Sequence, residues 1–206
     1  LGQVLKEVSQ DGIQDDLVHG KRILISVCAG KTITDILKEF SSNKIHCIRV
    51  MPNLTLSICS GSWLYHENPE ASFSEPGGLS SNEVKDILGS CGSVYEIDEE
   101  IFSHGTSVSG CGPGFVSNIA QHMIESSIQI GIPANLAKKL VLETFYGTSK
   151  LLFESHMDPS SLQAMVATPG GSTQAGIDVL EQHNIGQLIH NCLQSSLEKC
   201  SQLSKQ

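Results

Sequence analysis

The spacing of apolar and polar positions changes near residue 98 and divides the chain into two parts. Before this point, short β-branched runs bounded by turn residues alternate with amphipathic stretches, which is typical of strands joined by helices. The pattern predicts strands at 22–27, 46–50 and 93–97, a helix at 32–40, and a second helix that Ser80 and Glu83 open as a capping box. This order with short connections predicts a parallel sheet of βαβ units.

After residue 98 the apolar spacing is helical throughout, with helices predicted at 115–130, 134–155, 173–182 and 185–199. The apolar stripe of the first helix, which includes Phe115, Ile119 and Met123, is wide for a surface helix. Because these faces cannot all be covered within residues 98–206, the sequence predicts a homodimer. The predicted fold class is therefore α/β plus all-α, with one domain over 1–97 and another over 98–206.

Composition excludes several classes of protein. Thirteen Lys and Arg against 22 Asp and Glu give a net charge of −9, so no broad basic face is available for nucleic acid. No apolar run approaches membrane-spanning length, so we expect no membrane contact. The seven cysteines form no CxxC pair, which favours a reducing compartment, and the eight histidines show no HExxH spacing, which predicts no metal site.

The segment 168–173 (TPGGST) carries the strongest chemical signal in the chain. Two glycines allow a tight turn, and the helix that follows directs its first N–H groups into that turn, where they can bind an anion. Thr168 and Thr173 add hydroxyls on either side, and no Lys or Arg accompanies them, which suits a small carboxylate better than a polyphosphate. The alternative is an ordinary helix start capped by Ser172 or Thr173.

Two short segments, 28–30 (CAG) and 51–53 (MPN), directly follow predicted strands. Ligands of open parallel sheets bind beyond the carboxyl ends of strands, so both segments are candidates for a cofactor site. Spacing alone leaves open that they are only strand-to-helix turns.

A further glycine-rich turn, 109–114 (SGCGPG), lacks both the P-loop and the GxGxxG spacing, so nucleotide binding there is unsupported. Its cysteine, Cys111, could act as a nucleophile only with a histidine beside it, and nothing in the sequence places one there. We favour a structural role, in which the glycines allow close approach of the helix to backbone.

Taken in order, six motifs resemble the Δ1-pyrroline-5-carboxylate reductase family over nearly the whole chain. They are 26–30 (SVCAG), 51–53 (MPN), 106–113 (TSVSGCGP), 131–133 (GIP), 147–150 (GTSK) and 168–173 (TPGGST). The resemblance implies reduction of the cyclic imine Δ1-pyrroline-5-carboxylate to L-proline by NADPH or NADH, the final step of proline biosynthesis. It also implies a Rossmann-type domain followed by a helical dimerisation domain, with homodimers often built into larger rings.

Carried over residue by residue, the resemblance assigns a role to each candidate position. It makes 1–97 a partial dinucleotide-binding domain and 98–206 a dimerisation and substrate-binding domain. The nicotinamide half of the cofactor would lie against Cys28, Ala29, Gly30, Pro52 and Asn53. The substrate carboxylate would lie against Thr168, Gly171, Ser172 and Thr173, and the Thr173 hydroxyl, near the ring nitrogen, would be the catalytic group.

The chain also departs from the family pattern. Ser60 stands where a Glu is usual, Met165 where an Asn or Gln is usual, and the strand and glycine-rich phosphate loop that open the family fold are not in this sequence. We therefore expect weak dinucleotide binding by these 206 residues. Two alternatives stay open: a non-catalytic relative that acts as a dimeric assembly or carboxylate-binding module, and a reductase for another small imine or keto acid. A cytoplasmic location is expected, with mitochondria also open.

Overall fold

The computed structural model describes residues 13–18, 22–40, 45–68 and 79–203. It divides into two compact units, Leu1–Pro113 with Leu193–Gln206, and Gly114–Cys192. The described strands all belong to the first unit, and the second is helical, so the α/β plus all-α class is confirmed. The boundary between the contact units falls after Pro113, and the functional boundary at 97/98 stays a prediction.

Short helices and strands alternate along the first part of the chain. They are α1 (Ile13–Val18), β1 (Leu24–Ser26), α2 (Ile33–Leu37), β2 (Cys47–Pro52), β3 (Gly61–Glu67), α3 (Ser81–Gly89), β4 (Gly92–Glu96) and α4 (Phe102–Gly105). Turns of 3-10 helix cover Leu54–Ile58 and Glu99–Ile101, and a π-helical segment covers Thr106–Gly110. Longer helices follow: α5 (Gly112–Gln129), α6 (Ala134–Ser155), α7 (Pro159–Val166), α8 (Ser172–Gln182) and α9 (Ile185–Leu203).

The four strands form one sheet in the order β1-β2-β3-β4. β1 and β2 are parallel, as are β3 and β4, but β3 runs antiparallel to β2, so the sheet is mixed where we predicted a parallel one. Residues 53–60 join β2 to β3, and this connection is too short for the crossover that a parallel pair requires. Apolar spacing did not predict β3, nor did it predict α7, which Pro159 opens after Asp158.

β2 is the central element of the first unit, because five of its six residues are buried. Alternate side chains point to opposite faces, so Cys47 packs with the residues of α2 on one face, and Ile48 and Val50 pack with Val84 of α3 on the other. The predicted capping box that opens α3 is confirmed, since the Ser80 hydroxyl accepts from the Glu83 N–H and the Glu83 carboxylate accepts from the Ser80 N–H.

A buried arginine lies on β2. Arg49 is 3% exposed, and its Nη1 lies 3.3 Å from Oε1 of Glu99, while its guanidinium carbon lies 4.1 Å from the centre of the Phe102 ring. The same Glu99 oxygen accepts the N–H of Ile33 at 2.7 Å, at the start of α2. Burial lowers the pKa of the Arg49 guanidinium and the Glu99 carboxylate opposes this, so the arginine stays charged at neutral pH.

The second unit has almost no core of its own. Among its described residues only Ala120, Ala137 and Val141 are buried. Large apolar side chains point outward instead, and Phe153 is 70% exposed. An exposed apolar surface of this extent is typical of a protein interface.

We expect Glu99→Gln to lower the free energy of unfolding by about 3 kcal/mol, because it leaves the buried Arg49 charge without a counter-ion. Glu100→Gln is the matched control, since it removes the same charge from an exposed neighbour. Urea denaturation measures both variants, and equal losses would show that Glu99 does not stabilise Arg49.

Candidate functional site

The predicted cofactor residues lie along one edge of the sheet. Ser26, the last residue of β1, pairs with Arg49, so Cys28 and the end of β2 at Pro52 lie at the same carboxyl edge. The Cys28 N–H donates to the Ser26 hydroxyl at 3.3 Å, and Gly30 has a φ of +78°, in the left-handed region that favours glycine. The structure therefore brings Cys28, Ala29, Gly30 and Pro52 to one edge, as predicted.

The turn at Gly30 leads directly into α2. Thr32 caps this helix and forms a capping box with Asp35, whose carboxylate accepts from the Thr32 hydroxyl at 2.8 Å. Hydrogen bonds from Lys38 and Thr32 lower the pKa of Asp35 to about 2. The carboxylate is therefore ionised at any physiological pH and keeps the helix start in place.

Asn53 has a structural task in the turn after β2. Its Oδ1 accepts from the Thr55 hydroxyl at 2.7 Å and from the Thr55 N–H at 3.2 Å, which caps the 3-10 turn. Its side-chain NH₂ group donates to no group in the described part of the chain. This NH₂ group lies at the sheet edge, and the next residue, Leu54, is 77% exposed.

The turn that precedes α8 has the geometry of an anion site. Gly170 has a φ of +75°, and the Gly171 N–H donates to the Thr168 carbonyl at 2.9 Å. Gly171 is the N-cap and makes no side-chain cap, so the alternative in which Ser172 or Thr173 caps the helix is wrong.

The first turn of α8 therefore has free backbone N–H donors. The Gly171 carbonyl accepts from Ala175, which leaves the N–H groups of Ser172, Thr173 and Gln174 without an acceptor among the described residues. A Cβ on Gly171 would lie 2.5 Å from the Thr168 hydroxyl oxygen and 3.0 Å from its carbonyl oxygen, so only glycine fits this turn. Three free N–H donors flanked by two threonine hydroxyls can bind a small anion.

The candidate residues thus form two groups. Those of the sheet edge belong to the first unit, and those of 168–173 belong to the second. It stays a prediction that the two groups bind the cofactor and the substrate of one reaction.

Sequence reasoning missed a buried polar cluster on β2 and β3. His46 Nε2 lies 3.2 Å from Glu67 Oε2, which also accepts the Tyr65 hydroxyl at 2.7 Å. Burial lowers the pKa of His46, and burial together with Glu67 raises the pKa of Tyr65. His46 precedes β2 and Glu67 ends the antiparallel β3, so the cluster lies at the edge opposite Asn53 and stabilises the sheet.

The glycine-rich turn at 109–114 does not show the close approach of helix to backbone that we expected. A Cβ on Gly110 would lie 3.3 Å from the Thr106 side chain, and Gly112 and Gly114 have open space around them. The π-helical segment overlaps the start of this turn and holds Ser109, whose hydroxyl lies 2.7 Å from that of Ser62 on β3. Apolar periodicity carries no signal for such a segment.

The described residues include no group of three His, Cys, Asp or Glu side chains that could hold a metal ion. Within the same residues, every helix is too short or too polar to cross a bilayer.

Comparison with known proteins supports a class of protein in which a Rossmann-like α/β part is joined to a helical dimerisation domain. The family described as pyrroline-5-carboxylate reductase dimerisation matches residues 99–203. A pyrroline-5-carboxylate reductase of Aquifex aeolicus is 32% identical over 95% of this chain and 71% of its own length. Pyrroline-5-carboxylate reductase 3 of Danio rerio is 32% identical over 98% of this chain and 66% of its own length.

Solved structures agree with these relatives. The reductase of Coxiella burnetii matches with a TM-score of 0.88 at 25% identity, over 99% of this chain and 73% of that one. The Plasmodium falciparum enzyme, which has NADP bound, matches with a TM-score of 0.83 at 28% identity, over 98% of this chain and 77% of that one. The chain belongs to the pyrroline-5-carboxylate reductase family.

We expect Gly171→Ala to lower the free energy of unfolding by about 1–3 kcal/mol, because the added methyl group overlaps Thr168. Gly176→Ala, in open space on the same helix, should instead raise stability by about 0.5–1 kcal/mol. Urea denaturation compares the two, and a stable Gly171→Ala variant would contradict the tight turn described here.

Proposed function

We propose that the chain reduces Δ1-pyrroline-5-carboxylate to L-proline by hydride transfer from NADPH or NADH. Membership of the family supports the reaction. The observation that carries the proposal is the turn before α8, where free N–H groups and hydroxyls meet without a basic side chain. Such a site holds a single carboxylate and offers little to a polyphosphate.

In this proposal the protein acts mainly by positioning. The N–H groups of Ser172, Thr173 and Gln174 hold the substrate carboxylate, which fixes the five-membered ring relative to the helix start. The Thr173 hydroxyl accepts a hydrogen bond from the protonated ring nitrogen, which keeps the imine in its electrophilic form. A threonine hydroxyl is too weak an acid to protonate the nitrogen alone, so water supplies that proton.

The sheet edge fits the nicotinamide half of the cofactor. The turn formed by Cys28, Ala29 and Gly30 lets the nicotinamide ring approach the backbone. Apolar surface comes from Pro52 and Leu54, and Asn53 keeps a free NH₂ group. When bound there, the cofactor supplies the hydride. The residues of this chain hold the ring and exclude water from one of its faces.

Two side chains differ from what the family resemblance implies. The Ser60 hydroxyl donates to the Ile58 carbonyl at 3.3 Å, and Met165 is exposed and carries no polar group. Both observations favour the second candidate, a carboxylate-binding module without turnover. The third candidate, a reductase for another small imine or keto acid, would use the same carboxylate site.

We expect Thr173→Ala to lower kcat/KM about 5- to 150-fold, equivalent to about 1–3 kcal/mol, because one buried hydrogen bond in the complex is lost. Thr173→Ser should retain most activity, since the hydroxyl remains. Ser127→Ala is the control, because the Ser127 hydroxyl already donates to the Met123 carbonyl of its own helix. An unchanged rate in Thr173→Ala would remove Thr173 from the reaction.

The assay follows NADPH or NADH oxidation with pyrroline-5-carboxylate, and calorimetry follows L-proline binding. Turnover supports the reductase, and proline binding without turnover supports the carboxylate-binding module. The same assay on any longer form that the source transcript encodes tests whether the 206 residues suffice. Activity with another imine or keto acid alone would assign a different substrate.

We also propose that the second unit pairs with a second copy of the chain. Helices α6, α7 and α8 border an open groove of about 600 Å³, lined mainly by apolar groups, which include Leu151, Leu162 and Val166. Tyr146 and Phe153 of α6 are also exposed. A partner helix of the same chemistry would cover these surfaces, which agrees with the dimerisation family that matches this part of the chain.

We expect a dimer by light scattering at micromolar concentration. Phe153→Asp should weaken the dimer at least about tenfold, because it places a charge in apolar surface, whereas Phe153→Leu should keep it. A monomeric unsubstituted chain would contradict the pairing. A larger ring of dimers and a cytoplasmic location stay predictions.

A further inference from the structure

The carboxylate of Glu99 connects the end of the sheet with the start of helix α2. Its Oε1 accepts the Ile33 N–H at 2.7 Å and lies 3.3 Å from Arg49 Nη1. Ile33 lies 66 residues earlier in the chain, so this contact depends on the tertiary fold. The first N–H groups of a helix have no acceptor within the helix, and here a distant segment of the first unit supplies one.

Glu99 is itself held in place by its neighbours. The Ile97 N–H donates to the Tyr65 carbonyl at 3.0 Å, and the Ile97 carbonyl oxygen lies 2.9 Å from His66 Nδ1. Both partners belong to β3. Phe102, which follows Glu99 after two residues, has a fully buried side chain. The carboxylate therefore lies between two anchored residues and can serve as a fixed point.

Residues 28–30 lie between two such fixed points. Before them, β1 ends at Ser26, which pairs with Arg49 of β2. After them, the chain enters α2 at Ile33, whose N–H is bound by Glu99. Because α2 has only five residues, its own hydrogen bonds do not make it stable, and outside contacts decide where it begins.

We propose that Glu99 is a positioning residue for the nicotinamide half of the cofactor. Its hydrogen bond to the Ile33 N–H sets the start of α2 and thereby the path of residues 28–30. The proposal rests on the proposed function, which places the cofactor at this turn. Glu99 thus has two tasks: its charge stabilises the buried Arg49, and its oxygen atom positions the turn.

Substitutions separate the two tasks. Glu99→Gln removes the charge opposite Arg49 but keeps a side-chain oxygen that can accept the Ile33 N–H. Glu99→Asp keeps the charge but retracts it by one methylene group, away from the Ile33 N–H. Glu100→Gln and Glu100→Asp are the matched controls, because the side chain of this neighbour is exposed.

The first measurement is NADPH binding to the full chain, followed by the fluorescence of the reduced nicotinamide at a temperature at which every variant is folded. Glu99→Asp should raise the Kd for NADPH about tenfold, which is the scale of one lost hydrogen bond. Glu99→Gln, although it is the less stable variant, should stay within about threefold of the unsubstituted chain, as should both controls.

Amide hydrogen exchange over residues 31–36 tests the same bond in the absence of any cofactor. Because the Ile33 N–H has no acceptor within its own helix, its protection depends on Glu99. Exchange in this segment should be faster in Glu99→Asp than in Glu99→Gln and the unsubstituted chain.

Two results would overturn the positioning role alone. One is a Kd for NADPH that rises in Glu99→Gln as much as in Glu99→Asp, since affinity would then follow the stability of the fold. The other is unchanged exchange over residues 31–36 in Glu99→Asp. If the unsubstituted chain binds neither NADPH nor NADH, the cofactor assignment of the proposed function is wrong, and the positioning role is wrong with it.

Discussion

The first unit depends on one buried charge pair. Arg49 lies in the most deeply buried strand, and Glu99 follows the last strand, so their contact joins the centre of the sheet to the segment that leads into the long helices. Because Glu99 also accepts the Ile33 N–H, the same carboxylate fixes the start of α2 and thereby the turn at Gly30. The geometry of the proposed nicotinamide edge therefore depends on this ion pair.

The proposed substrate turn achieves recognition without a charged side chain. Backbone N–H groups and hydroxyls keep their hydrogen-bonding capacity across the physiological pH range, so the strength of the site does not follow the titration of any residue. Its specificity depends instead on backbone conformation, which Gly170 and Gly171 set. The proposed nicotinamide edge is built in a similar way, from a glycine turn and one side-chain amide.

Much of this fold was predictable because apolar periodicity reports helices and buried strands directly. The long helices, three strands and the Ser80 capping box followed from it. Strand β3 did not, because Gly61, Ser62 and His66 interrupt its apolar character and only its pairing with β2 and β4 stabilises it. The turn at 168–173 was predictable because its glycines are required locally, but its N-cap was not.

The three buried residues of the second unit have a consequence for how the protein behaves in a cell. Helices with so little internal packing gain little from their own hydrophobic effect, so in the proposed dimer their folding is coupled to association. The melting temperature then rises with protein concentration, so a dilute sample unfolds at a temperature at which a concentrated one stays folded. In the proposed dimer, a damaged copy would also impair the intact copy that it joins.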